Sequence, residues 1–131
     1  MNKVLQPAAW PRPRGYANGV VARGRTIYVA GMIGWDEQLR FPAADLAGQA
    51  RQALANVKAV LAEDGATPEH IVRMTWYVTD RAEYLREARA IGAAYRELIG
   101  SFAVAMTAVE VKSLMEAEAK VEIEVTAVVP E

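Results

Sequence analysis

Val104-Ala105-Met106-Thr107-Ala108-Val109-Glu110-Val111-Lys112-Ser113-Leu114 and Lys120-Val121-Glu122-Ile123-Glu124-Val125-Thr126-Ala127-Val128-Val129 are the stretches whose reading decides the fold. Both alternate in polarity over much of their length, as a strand does when it presents successive side chains to opposite faces of a sheet. Alternation predicts one face of Val109, Val111, Val121, Ile123 and Val125, suited to packing under helices. The opposite face would carry Val104, Met106, Ala108, Glu110, Glu122 and Glu124. In a third strand, Ile71 to Thr79, Met74 and Trp76 alternate with Thr75 and Tyr77, so both of its faces hold large side chains.

Outward from these strands, two amphipathic helices complete the pattern. Ala43 to Asp64 places Leu46, Ala50, Ala53, Leu54, Val57, Val60 and Leu61 on one face, and Gly65 just past its end suits a left-handed cap. Thr67-Pro68-Glu69 starts a single helical turn. Asp80, with Glu83 three residues on, opens the second helix as an Asp version of the capping box. Its stripe is Tyr84, Leu85, Ala88, Ile91, Tyr95 and Leu98, and Gly100 ends it. Gly19 to Ala22 and Thr26 to Ile33 read as two strands joined by a tight turn at Arg23-Gly24-Arg25. Pro7 to Gly15 is an extended arm and Trp35 to Pro42 a loop. The order β-β-α-β-α-β-β predicts an α+β domain, with right-handed crossovers placing both helices on one face of a mixed six-stranded sheet.

The 131 residues fit a single domain, 1–131, and a hydrophobic content of 53% supplies a core. No cysteine is present, so no disulfide framework or cysteine-bound metal can form. Lys plus Arg is 15 against 16 Asp plus Glu, a net charge of −1 that offers no basic field for a nucleic-acid backbone. No apolar run approaches the roughly 20 residues of a membrane span. The Met1-Asn2-Lys3-Val4-Leu5 start is too short in apolar residues for a secretory signal, and we read the protein as cytoplasmic. One histidine, His70, and no cysteine argue against a serine-type triad and against a zinc site. The glycines at 15, 19 and 24 form no phosphate loop, because no Gly-Lys-Ser/Thr follows them.

Two helices cover one face of a sheet. Either water bathes the other face and Glu110, Glu122 and Glu124 solvate it, or sheets of several copies meet there. Exposed Trp76 and Met106 on a broad sheet favour association.

Taken together, these segments resemble the Rid family, also called YjgF or L-PSP-like proteins. Met106 to Leu114 is similar to the family's Arg-Ser/Thr-x-Val-x-Val-x-x-Leu strand, and Val121-Glu122-Ile123-Glu124-Val125 to its Val-Glu-Ile-Glu strand. Gly15-Tyr16-Ala17-Asn18-Gly19, Tyr28-Val29-Ala30-Gly31-Met32-Ile33, Gln49 with Leu54, Asn56 and Val57, and Asp80 with Tyr84 match further family patterns in the right order. The resemblance spans residues 7 to 129. It implies a chorismate-mutase-like fold and a homotrimer with small-molecule pockets between subunits. It also implies hydrolysis of reactive enamines or imines such as 2-aminoacrylate to a ketone and ammonia, with no metal or organic cofactor.

By that resemblance Glu122 would be catalytic, holding and polarising the attacking water. Tyr16, Ala30, Gly31, Met32, Met106 and Ala108 would line the substrate site. Met106 stands where the active deaminases carry an arginine that forks onto the substrate carboxylate. A charge-assisted hydrogen bond is worth about 1.5–3 kcal/mol, so its loss weakens a carboxylate ligand about ten- to a hundredfold. Ala30-Gly31-Met32 replaces Ser-Gly-Gln, Ala108 a frequent cysteine and Gly92 a frequent asparagine. Arg12 or Arg14 on the arm would be the cations left to compensate. Two functions stay open: an enamine or imine hydrolase on a ligand less dependent on its carboxylate, and a non-catalytic ligand-binding trimer with an apolar interface pocket. The ribonuclease and translation-inhibitor activities linked to the family fit the balanced charge poorly.

Overall fold

The structure, a computed structural model, describes residues 2–131; Met1, the first residue of the segment read against a secretory signal, lies outside them. Its elements are β1 (Lys3–Leu5), β2 (Gly19–Val21), β3 (Arg25–Ile33), α1 (Leu46–Ala62), a single 3-10 turn (Pro68–His70), β4 (Ile71–Val78), α2 (Arg81–Arg86), α3 (Ala88–Leu98), β5 (Ala105–Glu110) and β6 (Val121–Val129). The architecture is α+β. Four strands form a mixed sheet in the order β3-β6-β4-β5, with β6 antiparallel to both neighbours and β4 parallel to β5. Among the described residues no helix is long and apolar enough to cross a membrane.

The six-stranded sheet of the sequence reading is corrected. β2 does not pair with β3; it pairs antiparallel with β1, Lys3 opposite Val21, in a separate two-stranded ribbon. Gly24 separates the two sheets. It holds φ +150°, and a Cβ there would collide with the Val129 carbonyl, so the chain leaves β2 hard against the end of β6. Lys3-Val4-Leu5 has too few residues to show a strand period, which is why the sequence did not reveal β1.

The helices follow their local chemistry. The Asp45 carboxylate accepts the Gly48 N–H at the start of α1. Leu46, Ala50, Ala53, Leu54, Val57 and Leu61 are buried as one stripe, whereas Val60 is exposed. Gly65 takes the expected left-handed φ of +72°. Asp80 accepts the Glu83 N–H at 3.1 Å, as the capping pattern predicts. The second helix is interrupted, however: α2 ends at Arg86, and Glu87 at φ −97°, ψ 12° separates it from α3. The Glu87 carboxylate accepts the Ala47 N–H in the first turn of α1 at 2.8 Å, a contact made from the break itself. Leu85, assigned to the apolar stripe, is exposed.

Register corrects the assignment of the sheet faces. Met74 opposes Met106 and Val125, and Trp76 opposes Ala108 and Ile123. Cross-strand partners share a face, so Met106, Ala108 and Trp76 lie under the helices with Val121, Ile123 and Val125. Glu110 is on that side too, and its carboxylate accepts the Arg81 N–H at 2.7 Å. Val109 turns to the open face with Tyr28, Thr75, Tyr77, Glu122 and Glu124. Association can therefore not be argued from Trp76 and Met106; the exposed apolar groups of the open face are Tyr28, 80% exposed, and Val109, 41% exposed.

Two amides of α1 bind the loops that carry the sheet ends. Buried Gln49 donates to the Glu118 carbonyl at 3.0 Å and accepts the Lys120 N–H at 2.8 Å. Asn56 donates to the carbonyls of Ile33 at 3.1 Å and Trp35 at 2.8 Å. The motif they share is thus a scaffold motif. Asn56→Leu strands both carbonyls, each worth about 1 kcal/mol net; urea denaturation is expected to show stability lowered by about 2 kcal/mol with an unchanged slope.

Candidate functional site

A cavity of about 920 Å³ lies between α3 and the β4–β5 side of the sheet. Trp76, Tyr84, Tyr95, Phe102, Met106 and Ala108 wall it, and Arg14, Tyr16, Gly92 and Arg96 stand among its other lining groups. Its volume falls within the range of small-molecule sites. Trp76 meets Tyr84 edge to face, ring centroids 6.3 Å apart at 63°. The arm reaches the cavity because the Ala17 N–H donates to the Val104 carbonyl at 2.8 Å and Ala17 bridges to Ala105, which sets Tyr16 beside the start of β5. Two buried polar atoms have no partner among the described residues, Trp76 Nε1 and the Tyr95 hydroxyl, and both belong to the walls of this cavity. Burial pushes the Tyr95 phenol up to about 12 and raises that of Tyr84.

Glu122 occupies the other face. β3 carries an extra residue between Val29 and Met32, so Met32 opposes Ile123 and Ile33 opposes Glu122. A bulge of this kind re-aims side chains. It brings the bare backbone of Gly31 against the Glu122 carboxylate, where any Cβ would collide with it. Past the bulge, Met32 packs against the core, as Met106 does. Beside Glu122, the Tyr77 hydroxyl donates to Glu124 Oε1 at 2.6 Å; that bond, with burial second, raises the Tyr77 pKa. Ala30 borders a shallow recess with Tyr28, Arg73, Thr75 and Glu124.

The residues singled out in the sequence thus fall into two groups. Tyr16, Met106 and Ala108 belong to the helix-side cavity, whereas Ala30, Gly31 and Glu122 belong to the open face, with the sheet between them. Arg14 lines the cavity; Arg12 does not. His70 Nδ1 accepts the Thr67 N–H at 3.0 Å and closes its own helical turn, a structural task. Among the described residues no His, Asp and Glu side chains gather as a metal-binding cluster. The sequence reading missed Arg96, whose signal is its spacing of four from Gly92 on a helix.

The family profile Endoribonuclease L-PSP matches residues 8–129. The chain is 33% identical to the 2-iminobutanoate/2-iminopropanoate deaminase of Salmonella typhimurium, over 98% of each chain. Among solved structures it is similar to YyfB of Yersinia pestis, a conserved Rid protein of unknown function, with a TM-score of 0.86, 30% identity and 98% of each chain covered. It is also similar to Escherichia coli TdcF, solved with bound serine, with a TM-score of 0.69, 30% identity, and 97% of this chain and 98% of that one covered.

Burial favours the neutral Tyr95 phenol in the folded state. Its contribution to stability is complete below about pH 10, where an exposed tyrosine titrates, and is lost as pH rises toward the folded value of about 12. Phenolate absorbance should show Tyr95 among the last of the five tyrosines to ionise. Tyr95→Phe should flatten the fall in stability above pH 10; equal slopes in parent and variant would count against a buried phenol.

Proposed function

Because the chain belongs to the Rid (YjgF, L-PSP) family, we propose that it is a small-molecule hydrolase of the enamine/imine deaminase type. It works as a homotrimer on a ligand larger than 2-aminoacrylate and less dependent on a carboxylate contact at Met106. The observation that supports this reading most is the Glu122 carboxylate lying against the bare backbone of Gly31 on an open sheet face. The bare Gly31 makes room for the carboxylate itself, which takes the place a Cβ would fill. Within one copy, though, the aromatic cavity lies on the far side of the sheet. A complete site needs the open face of one copy over the cavity of the next, which is the arrangement the family resemblance implies. Tyr28 and Val109 supply apolar surface for that contact.

In this site water adds to the carbon of the protonated imine while Glu122 takes its proton, giving a carbinolamine. Glu122 returns that proton to nitrogen, then takes the hydroxyl proton as the C=O bond forms and the C–N bond breaks, and the released ammonia carries the last proton away as ammonium. A carboxylate within hydrogen-bond reach of the water suffices for these transfers. The second reading, ligand binding without turnover, is favoured by the apolar surroundings of Met106.

Three measurements test the proposal. Light scattering at micromolar concentration should give three times the chain mass of 14.3 kDa; a monomer would remove the shared site. Glu122→Gln should abolish imine hydrolysis and keep both the trimer and its melting temperature, whereas unchanged turnover assigns Glu122 to solvation of the sheet. With 2-aminoacrylate generated in situ by a dehydratase, the parent should add little to the rate of keto-acid release, and Met106→Arg should add more. A parent as fast as an arginine-bearing relative would overturn the assigned ligand class.

A further inference from the structure

Gly92 and Arg96 are one helical turn apart on α3, and both line the cavity. A Cβ at Gly92 would lie 3.3 Å from Arg96 Nη1, so the guanidinium folds back over the bare glycine. A larger side chain there, such as the asparagine of many deaminases, would crowd it away. Among the described residues no carboxylate lies within ion-pair distance of Arg96, as is true of Arg14 in the same cavity. Arg96 stands in the last turn of α3, where a cation also favours the helix dipole, but that role calls for no fold toward Gly92. The position deep in the cavity that would hold the family arginine is Met106, and the space beside it is walled by rings.

We propose that Arg96, laid across Gly92, is the carboxylate anchor of this cavity, and that the ligand is a 2-imino acid with an aromatic side chain received among Trp76, Tyr84 and Phe102. The proposal rests on the hydrolase reading above and names its substrate class. Moving the anchor from the sheet to the helix leaves the apolar interior free for the side chain. A three-carbon acid would leave most of the 920 Å³ empty. Trp76 Nε1 is buried in the wall without a partner among the described residues, so its resonance reports on a ring packed against the indole.

Calorimetry on the intact oligomer tests this with three stable probes. Phenylpyruvate has both ring and carboxylate, pyruvate lacks the ring, and phenylacetone lacks the carboxylate. Phenylpyruvate should bind at least tenfold tighter than either, as one charge-assisted bond or one buried ring predicts. Arg96→Gln and Gly92→Asn should each remove its advantage over phenylacetone and leave phenylacetone itself unchanged. Arg12→Gln, outside the cavity, should leave the advantage in place. The indole N–H resonance of Trp76 should shift with phenylpyruvate, and those of Trp10 and Trp35 should not. Equal affinity for pyruvate and phenylpyruvate, an unaltered Kd in Arg96→Gln, loss in Arg14→Gln instead, or a silent Trp76 resonance would each overturn the proposal. Turnover of the imine of phenylpyruvate by the parent separates the two readings: no turnover with a binding loss in Arg96→Gln rejects the hydrolase but keeps the anchor, and turnover with an unaltered Kd in Arg96→Gln rejects the anchor alone.

Discussion

Everything in this molecule is hung on the pairing of β6 with strands on both sides. A central strand satisfies its backbone on both edges and is left with two faces to commit. Val121, Ile123, Val125 and Ala127 are buried beneath the helices, and Glu122 and Glu124 are sent the other way by the same alternation. The core and the carboxylates are therefore one decision. A slip of one residue in the register would exchange them, and would destroy the fold before it altered the chemistry. The bulge in β3 adjusts the partner strand without disturbing this arrangement.

The sequence displayed the elements of the sheet better than its orientation. β6 was legible because its alternation is strict. β5 was not, since Met106, Ala108 and Glu110 look no more apolar than Val109 and Val111. Only its parallel register with β4 shows which set goes under α3. Glu110 in particular reads as a solvated residue, yet it caps the start of α2. The interruption at Glu87 was equally hidden, because Glu favours helix interiors and its tertiary partner, the Ala47 amide, lies 40 residues away.

For the candidate site, the resemblance identified the residues and the structure separated them. Met106 and Ala108 share one cavity with Tyr16, but Glu122 does not join them within one chain. That separation depends on strand parity and could be read only after the register was known. The direction of Met32 was hidden for a related reason: a bulge has no signature in the identities of Ala30, Gly31 and Met32 beyond the glycine itself.

The Glu87 contact has a mechanical meaning. Ala47, in the first turn of α1, has no intrahelical acceptor for its N–H, and the carboxylate at the α2–α3 joint supplies one. Nearby, Lys120 pairs with Glu83 at 2.8 Å while its own N–H is held by Gln49 of α1; the Glu83 hydrogen bond, with the charges of Glu87 and Asp45 adding to it, raises its pKa. The start of each helix and the start of β6 are thus knotted at one end of the domain. Toward its other end α3 is held too, because the Arg51 guanidinium of α1 donates to both oxygens of Glu97 at 2.8 and 3.1 Å. α3 is built like a beam on two supports: the span between them, and not a free tip, lies over the cavity.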